Sequence, residues 1–564
     1  MSITDWIVLC ITLLSIISYG IWKSRGSKNI EGYLLADRQM PWYHVGLSVM
    51  ATQASAITFL SAPGQGYTDG LRFVQFYFGL PLAMVVLCIT FIPIFHKLNV
   101  FTAYEYLEKR FDNKTRTLTA SLFLIQRGLS TGITIYAPAI ILSTILSVDV
   151  NYMIVLNGVL VIIYTVYGGA KAVSYTQLFQ MSVIFAGLFL AAYMVVHMLP
   201  DNVSFNDALH IVGKMDKLKA IDTNFDLNNR YNIWSGIIGG FFLQLSYFGT
   251  DQSQVGRYLT GKSITQSRLG LVMNGLVKIP MQFLILLIGV MVFAFYQFHQ
   301  SPLFFNKVEL KKIEKSAYKD DYKKLESAYE VAYEEKKAEV NTLIEAIHAE
   351  NKEAIDLAGN NLRKADHKSQ AIRKDLQNLM QKNDPDADVN DTNYIFLSFI
   401  TNHLPIGVIG LLIAIIFLAS MGSMASGLNS LASTTVVDFY KRLMKKDESD
   451  KNYLFMSRWT TVGWGVFCIF VAFYASRVGN LIEAVNILGS LFYGTILGIF
   501  LVAFYMKRIS GTAVFYAALI AECFIVFAWL TNLTAFLWLN VIGCLLVMLF
   551  AFAIQYLFIN KKAG

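Results

Sequence analysis

The chain has 564 residues, of which 55% are hydrophobic and only 15% are charged. A soluble protein of this length carries more charge and divides into several globular domains. Many apolar runs exceed the roughly 18–20 residues that cross a bilayer, so we interpret the chain as an all-α polytopic membrane protein. The net charge of +8 does not indicate nucleic-acid binding, because the basic residues lie in short loops between apolar runs, where they set orientation.

The first apolar run covers residues 3–22, and basic residues follow it rather than precede it (Lys23, Arg25 and Lys28). A signal peptide carries its positive charge on the other side. This run is therefore predicted to be a retained helix with the N-terminus outside the cell.

The second apolar run, 43–70, is interrupted by the stretch ATQASAITFLSAPGQG at 51–66. Lipid offers no hydrogen-bond partners to a broken backbone, so such a break is tolerated only where it faces protein or a wet cavity. Discontinuous helices of this kind form the midplane sites of secondary transporters for substrate and coupling ion.

Eleven further spans are predicted after the broken helix, which makes thirteen in total. They are 73–96, 117–147, 150–168, 174–199, 231–252, 268–298, 395–440, 455–475, 479–506, 511–530 and 534–558. With the N-terminus outside, every short basic loop lies on the inner face, as the positive-inside rule requires. We expect a multi-pass protein of the cell (plasma or inner) membrane with a cytoplasmic C-terminus.

A second break is predicted where the span 231–252 ends in LQLSYFGTDQSQVGR (243–257). Asp251 is expected to cap this break. When the first helix is set aside, the two broken helices are the first and the sixth. Corresponding breaks five helices apart are typical of an inverted repeat.

Residues 302–390 form a charged, helix-favouring insert between two transmembrane parts, 1–301 and 391–564. Its apolar residues recur at helical spacing, and AGNN at 358–361 could turn the chain. We expect two solvated helices packed as a hairpin on the outer face. The insert is either a spacer with no ligand or a docking surface for another envelope component.

Six stretches in this order resemble those of a known family. They are ATQASAITFLSAPGQGY (51–67), TGITIYAPAIIL (131–142), YTVYGGAKAVSYTQLFQ (164–180), YFGTDQSQVGR (247–257), GLVKIPMQFLILLIG (275–289) and ASMGSMASGLNSLAST (419–434). Together they resemble the sodium/solute symporter family, whose relatives include sodium–galactose and sodium–sialic acid transporters. The resemblance implies a leucine-transporter-like fold, a five-plus-five inverted repeat with extra flanking helices.

A sodium site is expected where the first break faces the span 395–440. Na⁺ is a hard cation that prefers about five or six oxygen ligands, and a break at Ala51–Ala54 frees backbone carbonyls. The facing span offers small and hydroxyl residues, namely Ala419, Ser420, Gly422, Ser423 and Ser426. The alternative is that these small residues only allow close helix packing.

The resemblance implies a specific ligand set for this ion: the positions that match the family's ligands are Ala51, Ala54, Ala419, Gly422 and Ser423. Gly422 departs from the family pattern because it has no hydroxyl. Water or one of the neighbouring serines would have to substitute, or the site would be weaker.

The family pattern also predicts how many ions are bound. Some relatives hold a second sodium with an Asp and a Ser at positions that here read Gln177 and Ala425. Neither side chain supplies an anionic oxygen, so one coupled Na⁺ per cycle is predicted.

Candidate substrate ligands share an amide or a hydroxyl group near the two breaks; they are Gln53, Ser55, Thr58, Gln75, Gln244 and Tyr247. Such an array suits polyols, whose hydroxyls both donate and accept. In sugar-transporting relatives, the positions that match Thr58, Gln244 and Lys278 contact sugar, and the one that matches Tyr247 gates the site from inside.

Two cations lie within predicted spans. Lys278 is roughly 15 Å into its helix at 1.5 Å per residue, near the midplane, where a charge is costly enough to indicate function. It could instead be a structural partner for a buried carbonyl or carboxylate. Arg127 either faces an anionic substrate or lies near the inner interface. Glu483 and Glu522 receive no role.

These patterns favour a sodium-coupled symporter of a small polar solute that works by alternating access. The alternative is a membrane sensor on a transporter scaffold. An enzyme ranks last, because the chain contains no HExxH motif, nucleophile elbow or phosphate loop. Sugars, sialic acid, other organic anions and nucleoside-like compounds all remain open as the solute.

Overall fold

The computed structural model of the chain describes residues 1–24, 32, 35–146, 148–444 and 449–559. Several basic residues that support the predicted orientation lie outside these described residues, within 25–28, 445–448 and 560–562. In the described part of the chain the regular structure is helical, apart from one isolated bridge between Met40 and Gly261. The prediction of an all-α chain is confirmed.

The α-helices that precede the charged insert are α1 (Ile3–Ser24), α2 (Trp42–Gln53), α3 (Ala56–Asp69), α4 (Leu80–Val86), α5 (Ile92–Leu98), α6 (Glu105–Arg110), α7 (Asn113–Leu146), α8 (Val150–His197), α9 (Phe205–Lys214), α10 (Gly240–Thr250), α11 (Gln252–Tyr258) and α12 (Ile264–Phe298). A 3₁₀ stretch, Gly70–Tyr77, follows α3, and π-helical turns lie at Leu87–Phe91 and Ser235–Gly239.

The insert contains α13 (Lys307–Glu314), α14 (Lys319–His348) and α15 (Lys352–Asn383). The helices after it are α16 (Thr392–His403), α17 (Val408–Thr434), α18 (Asp450–Ala472), α19 (Leu481–Tyr505), α20 (Gly511–Leu530) and α21 (Phe536–Ile554). A π-helical segment, Thr435–Met444, continues α17.

Nine helical segments among the described residues have the length and apolar composition that crossing a membrane requires. Two shorter apolar helical stretches, Ile3–Tyr19 and Val150–Val166, accompany them. The chain is therefore built as a multi-pass membrane protein. The count of thirteen spans and the inverted repeat stay predictions.

The predicted span 395–440 is not one helix. It divides into α16 and α17, separated by Leu404–Gly407. Pro405 cannot continue a helix and pushes the preceding Leu404 into an extended conformation. Gly407 has a φ of 89°, a conformation that favours glycine. The helix that faces the first break is therefore α17 alone.

The predicted turn of the insert at 358–361 is wrong. The chain turns at Ala349–Asn351, where Glu350 has a φ of 52° and the Asn351 side chain accepts a hydrogen bond from the Ala354 amide to cap α15. Gly359 lies within α15, and its missing side chain leaves room for the methylenes of Lys214. The helices α14 and α15 pack along each other as a pair.

The predicted spans 150–168 and 174–199 are joined in one continuous helix, α8, which ends at His197. The sequence YGGAKAV between them predicts a loop, yet it contains no proline to remove a helical hydrogen bond. The helix α8 packs against α2, α17 and α1.

Around the first break, α12 packs along both α2 and α3, and α17 packs against α7 and α8 as well as α2 and α3. Glycine allows the closest of these approaches. A Cβ at Gly289 of α12 would overlap the carbonyl oxygen of Pro63 in α3. The break is therefore enclosed by protein rather than lipid, as a broken backbone in a membrane requires.

Candidate functional site

The first break lies between α2 and α3, at Ala54 (φ −82°, ψ 83°) and Ser55 (φ −89°, ψ 176°). In an unbroken helix the Ser55 amide would donate to the Ala51 carbonyl and the Thr58 amide to the Ala54 carbonyl. Here the Ser55 amide donates to Gln53 O at 3.1 Å and the Thr58 amide to Ser55 O at 3.0 Å. The break therefore releases the carbonyls of Ala51 and Ala54 from their helical hydrogen bonds.

The facing helix α17 carries Ala419, Gly422 and Ser423 in one turn. Ala419 and Gly422 are buried, and Ser423 is partly exposed. The Ser423 hydroxyl donates to Ser420 O at 3.0 Å, which leaves its oxygen lone pairs available to a cation. All five residues predicted to hold Na⁺ thus lie on the break or on the helix packed against it.

Ser420 and Ser426 could replace the hydroxyl that is missing at Gly422, but their hydroxyl groups have different hydrogen-bond partners. The Ser426 hydroxyl donates to Gly422 O at 2.9 Å and accepts from Thr52 and Gln177. The Ser420 hydroxyl lies 3.8 Å from the sulfur of Met424. The Ser426 hydroxyl is therefore already used in a hydrogen-bond network with Gly422, Thr52 and Gln177.

Gln177 is the centre of that network. The Ser48 hydroxyl donates to Gln177 Oε1 at 2.6 Å, and Gln177 Nε2 donates to Ser426 Oγ at 3.0 Å, to Gly422 O at 3.3 Å and to Thr52 Oγ1 at 3.3 Å. The buried amide of Gln177 therefore has partners on both of its polar atoms and ties α8 to α2 and α17.

A cavity of about 100 Å³ lies beside the break. Five of the predicted substrate ligands line it, namely Gln53, Ser55, Thr58, Gln244 and Tyr247. Among the residues that the structure describes, neither amide atom of the buried Gln244 has a hydrogen-bond partner, nor does Gln53 Oε1. A buried amide without a partner is costly, so these groups are available to a polar ligand.

Gln75 and Lys278 do not line this cavity. The Gln75 amide accepts from the Asp222 amide at 3.0 Å and donates to Tyr231 O at 3.2 Å, which holds the segment before α10. Lys278 Nζ is buried and has no hydrogen-bond partner in the described part of the chain. It lies 5.7 Å from the ring centroid of Tyr77, a residue that lines the cavity. The ring of Tyr77 therefore lies between Lys278 and the cavity.

From the sequence, Arg127 could either face an anionic substrate or lie near the inner interface. In the structure it lines the cavity. Its guanidinium forms an ion pair with the fully buried carboxylate of Asp251 and lies 5.5 Å from the ring centroid of Tyr247. Asp251 also accepts from the Ser253 amide at 2.8 Å, which confirms that it caps the second break. Opposite charges at membrane depth in two predicted spans were the signal that could have predicted this pair.

The sequence also missed the part of α19 that closes the cavity. Ile482, Val485, Asn486, Gly489 and Tyr493 line it from this helix. Their pattern in the sequence is that of an ordinary apolar helix, so only the packing of α19 against α7 and α10 identifies them. Gln126 of α7 also lines the cavity, and its Oε1 has no partner among the residues described.

The chain is similar to known transporters over most of its length. The profile of the sodium:solute symporter family matches residues 33–308 and 385–521, which is more than half of the chain. The two matched ranges lie on either side of the insert helices α14 and α15.

Among the relatives, the sodium/iodide cotransporter of Homo sapiens is 30% identical over 295 residues, which are 52% of this chain and 45% of that protein. The chain therefore spans less than half of that relative's length. The sodium/glucose cotransporter of Vibrio parahaemolyticus is 25% identical over 526 residues, 91% of this chain and 82% of that protein. The sodium/sialic acid symporter of Aliivibrio fischeri is 25% identical over 570 residues, 99% of this chain and 94% of that protein.

A solved structure of a substrate-bound, outward-open Na⁺-coupled sialic acid symporter superposes on the chain with a TM-score of 0.75 at 23% identity. The match covers 99% of this chain and 98% of that one. The chain therefore has the same overall fold as that structure.

Proposed function

The chain belongs to the sodium:solute symporter family, and from that premise we propose that it is a secondary active transporter that moves a small polar solute together with one Na⁺. The solute is a sugar or a sialic-acid-like organic acid, and no bond is made or broken. Relatives named for the sodium-coupled transport of glucose and of sialic acid support this class of activity. Na⁺ is a transported substrate in this scheme.

The observation that carries the proposal is the pair of carbonyls, Ala51 and Ala54, released from helical hydrogen bonds opposite α17. Carbonyl and hydroxyl oxygens are the ligands that hard cations prefer. We assign the ion to these two carbonyls together with Ala419, Gly422 and Ser423 of α17.

A single coupled ion is supported by the surroundings of Gln177. Its amide nitrogen donates to two hydroxyls and to a carbonyl, and its oxygen accepts from Ser48. An amide whose two N–H bonds are directed at these nearby oxygens takes up electron pairs that a second cation would need, and Ala425 supplies no oxygen.

The solute site is assigned to the cavity that the first break and the helix α10 line. Gln53, Ser55, Thr58 and Gln244 offer amide and hydroxyl groups that can pair with solute hydroxyls. Tyr247 lines this cavity, and we propose that it gates the solute's exit. Gln75 acts indirectly, through the segment that its amide holds.

The charges near the cavity distinguish the two solute classes. The Arg127 guanidinium is neutralised by Asp251, whereas the Lys278 ammonium has no carboxylate partner among the described residues. An incoming carboxylate would be attracted by the unpaired Lys278 ammonium behind the Tyr77 ring, because the low-dielectric surroundings strengthen such an interaction. This favours a hydroxylated organic acid over a neutral sugar.

Coupling follows from the shared break. Na⁺ bound to Ala51 O and Ala54 O fixes the non-helical segment against α17, and the same segment presents Ser55 and Thr58 to the solute. Each ligand therefore raises the affinity of the other. The Na⁺ gradient then supplies the work of accumulation as the gates open alternately.

Uptake into proteoliposomes tests the proposal and separates it from a membrane sensor. A screen of sugars and sugar acids for Na⁺-dependent thermal stabilisation of the purified chain identifies the solute. A transporter then accumulates that solute only with an inward Na⁺ gradient. Solute binding without accumulation would favour the sensor.

We further propose that the chain lies in the cell (plasma or inner) membrane with its N-terminus outside and its C-terminus in the cytoplasm. The insert then lies on the outer face, where it is a spacer or docks another envelope component. No nucleic-acid partner is proposed.

A further inference from the structure

A second glutamine of α8, Gln180, lies one turn beyond Gln177. Its side chain is 2% exposed, and Oε1 has no hydrogen-bond partner in the structure. Gln177, by contrast, accepts from Ser48 through its own oxygen. The two amides therefore differ. Gln177 has hydrogen-bond partners on both polar atoms, whereas the buried oxygen of Gln180 has no donor within the described ranges of the chain.

The oxygen of Gln180 points at Gly422. A Cβ built on Gly422 would lie 2.6 Å from Gln180 Oε1, closer than real Cβ contacts allow. The amide oxygen therefore occupies the space in which a side chain at residue 422 would begin. Gly422 is the position at which the proposed sodium site lacks a hydroxyl.

The neighbouring hydroxyls are poorer substitutes for the missing group. Ser426 already donates to Gly422 O and accepts from Thr52 and Gln177. Ser420 lies against the sulfur of Met424. Among the described residues around Gly422, Gln180 brings an unpaired and uncharged oxygen of the type that hard cations bind.

We infer that the side-chain oxygen of Gln180 replaces the hydroxyl absent at Gly422 and completes the oxygen shell of the transported Na⁺. This inference rests on the proposed function, since it concerns the same ion. It adds α8 to the elements that hold the ion, alongside the α2–α3 break and α17. Ion binding then draws three parts of the bundle together at one point.

The test measures the thermal stability of the purified full-length chain in detergent as Na⁺ replaces K⁺ at constant ionic strength. Removing the oxygen with Gln180→Leu should raise the half-saturating Na⁺ concentration by about tenfold or more, as the loss of groups that support metal ligands does. Gln180→Glu keeps an oxygen and adds a negative charge, so it should lower that concentration.

Gln297→Leu is the matched control. Gln297 is also a buried glutamine whose Oε1 has no partner among the described residues. It lies at the far end of α12, where its amide nitrogen donates to Phe293 O. It should leave the half-saturating Na⁺ concentration unchanged. A shift equal to that of Gln180→Leu would mean that loss of any buried amide has this effect, and it would overturn the inference.

A double variant, in which one substitution compensates for the other, is the most direct test of this inference. Gly422→Ser alone should displace the terminal amide of Gln180, because its Cβ meets the oxygen at the flexible end of that side chain. Combining it with Gln180→Ala clears that space and returns a hydroxyl, and the response should recover to within about threefold of the wild type. A double variant no better than Gln180→Ala alone would contradict the inference.

The outcomes separate the two proposals. If the wild type shows no stabilisation by Na⁺ over K⁺, the proposed sodium coupling fails and the role of Gln180 fails with it. If the wild type responds and Gln180→Leu responds at the same Na⁺ concentration, only the role of Gln180 is overturned. Should Gln180→Leu fail to fold, an unchanged half-saturating concentration in Gln180→Glu would overturn it equally.

Discussion

Arg127 and Asp251, 124 positions apart in the sequence, form an ion pair at the edge of the central cavity. The Tyr493 hydroxyl donates to the same carboxylate at 2.8 Å. The pair therefore joins α7, the second break and α19 at the place where the solute site is proposed.

Breaking this pair from one side should destabilise the fold. Arg127→Gln leaves the Asp251 carboxylate buried without its cation, which typically costs about 3–5 kcal/mol of unfolding free energy. Thermal unfolding in detergent measures the loss. The matched control is Arg230→Gln, whose pair with Glu483 has an arginine side chain that is 59% exposed, and there the expected loss is about 0–1 kcal/mol. Equal losses in the two variants would contradict the buried pair.

Lys278→Met separates a functional lysine from a structural one. The ammonium is buried and has no hydrogen-bond partner among the described residues, so removing it relieves a desolvated charge rather than breaking a pair. We expect unchanged or higher thermal stability together with weaker solute binding. A large loss of stability with unchanged solute affinity would assign Lys278 a structural role.

Ser423→Ala tests the assigned sodium ligands. Loss of this hydroxyl should raise the half-saturating Na⁺ concentration by about tenfold or more, while the lost hydrogen bond to Ser420 O costs only about 0.5–1.5 kcal/mol of stability. Titration of thermal stability with Na⁺ gives both quantities. Ser430→Ala is the matched control, because Ser430 on the same helix also donates to a carbonyl three residues earlier, at 2.7 Å.

The insert should respond to pH through Asp388. Burial raises the pKa of this carboxyl to about 7, although a hydrogen bond from the Asn390 amide acts in the opposite direction, and the nearby carboxylates of Glu309 and Asp391 raise it further. Because the pKa is higher in the folded chain than in the unfolded one, this group stabilises the fold at low pH. Its contribution is lost as pH rises through about 7.

The measurement for Asp388 compares thermal unfolding of the full chain at about pH 5 and about pH 8, in the wild type and in Asp388→Asn. The wild type should lose more stability than the variant as pH rises, because asparagine does not titrate. The same loss in both proteins would show that other groups carry the pH dependence.

The broken helix was predictable because its cause is local. The polar residues between Ala51 and Gly66 and the absence of hydrogen-bond partners in lipid together require a protected break. The capping role of Asp251 was predictable for the same reason. The division between α16 and α17 had a local signal as well, in Pro405 and Gly407, but the long apolar run outweighed it.

The remaining features depend on contacts that are distant in sequence. Neither the pairing of Arg127 with Asp251 nor the contribution of Tyr493 can be derived from one helix alone. The turn of the insert was misplaced because Gly359 looks like a helix end, whereas it is a point of close packing against Lys214. Glu483, unexplained by sequence, pairs with Arg230 and Tyr231.

Equilibrium binding of radiolabelled Na⁺ to the purified chain tests the central claim, that one Na⁺ binds between the released carbonyls of the first break and α17. The account predicts one saturable ion per chain, displaced by unlabelled Na⁺ and not by K⁺. Binding should be strongly weakened by Ser423→Ala and retained in Ser430→Ala. Absence of saturable binding, two ions per chain, or full binding in Ser423→Ala would contradict it.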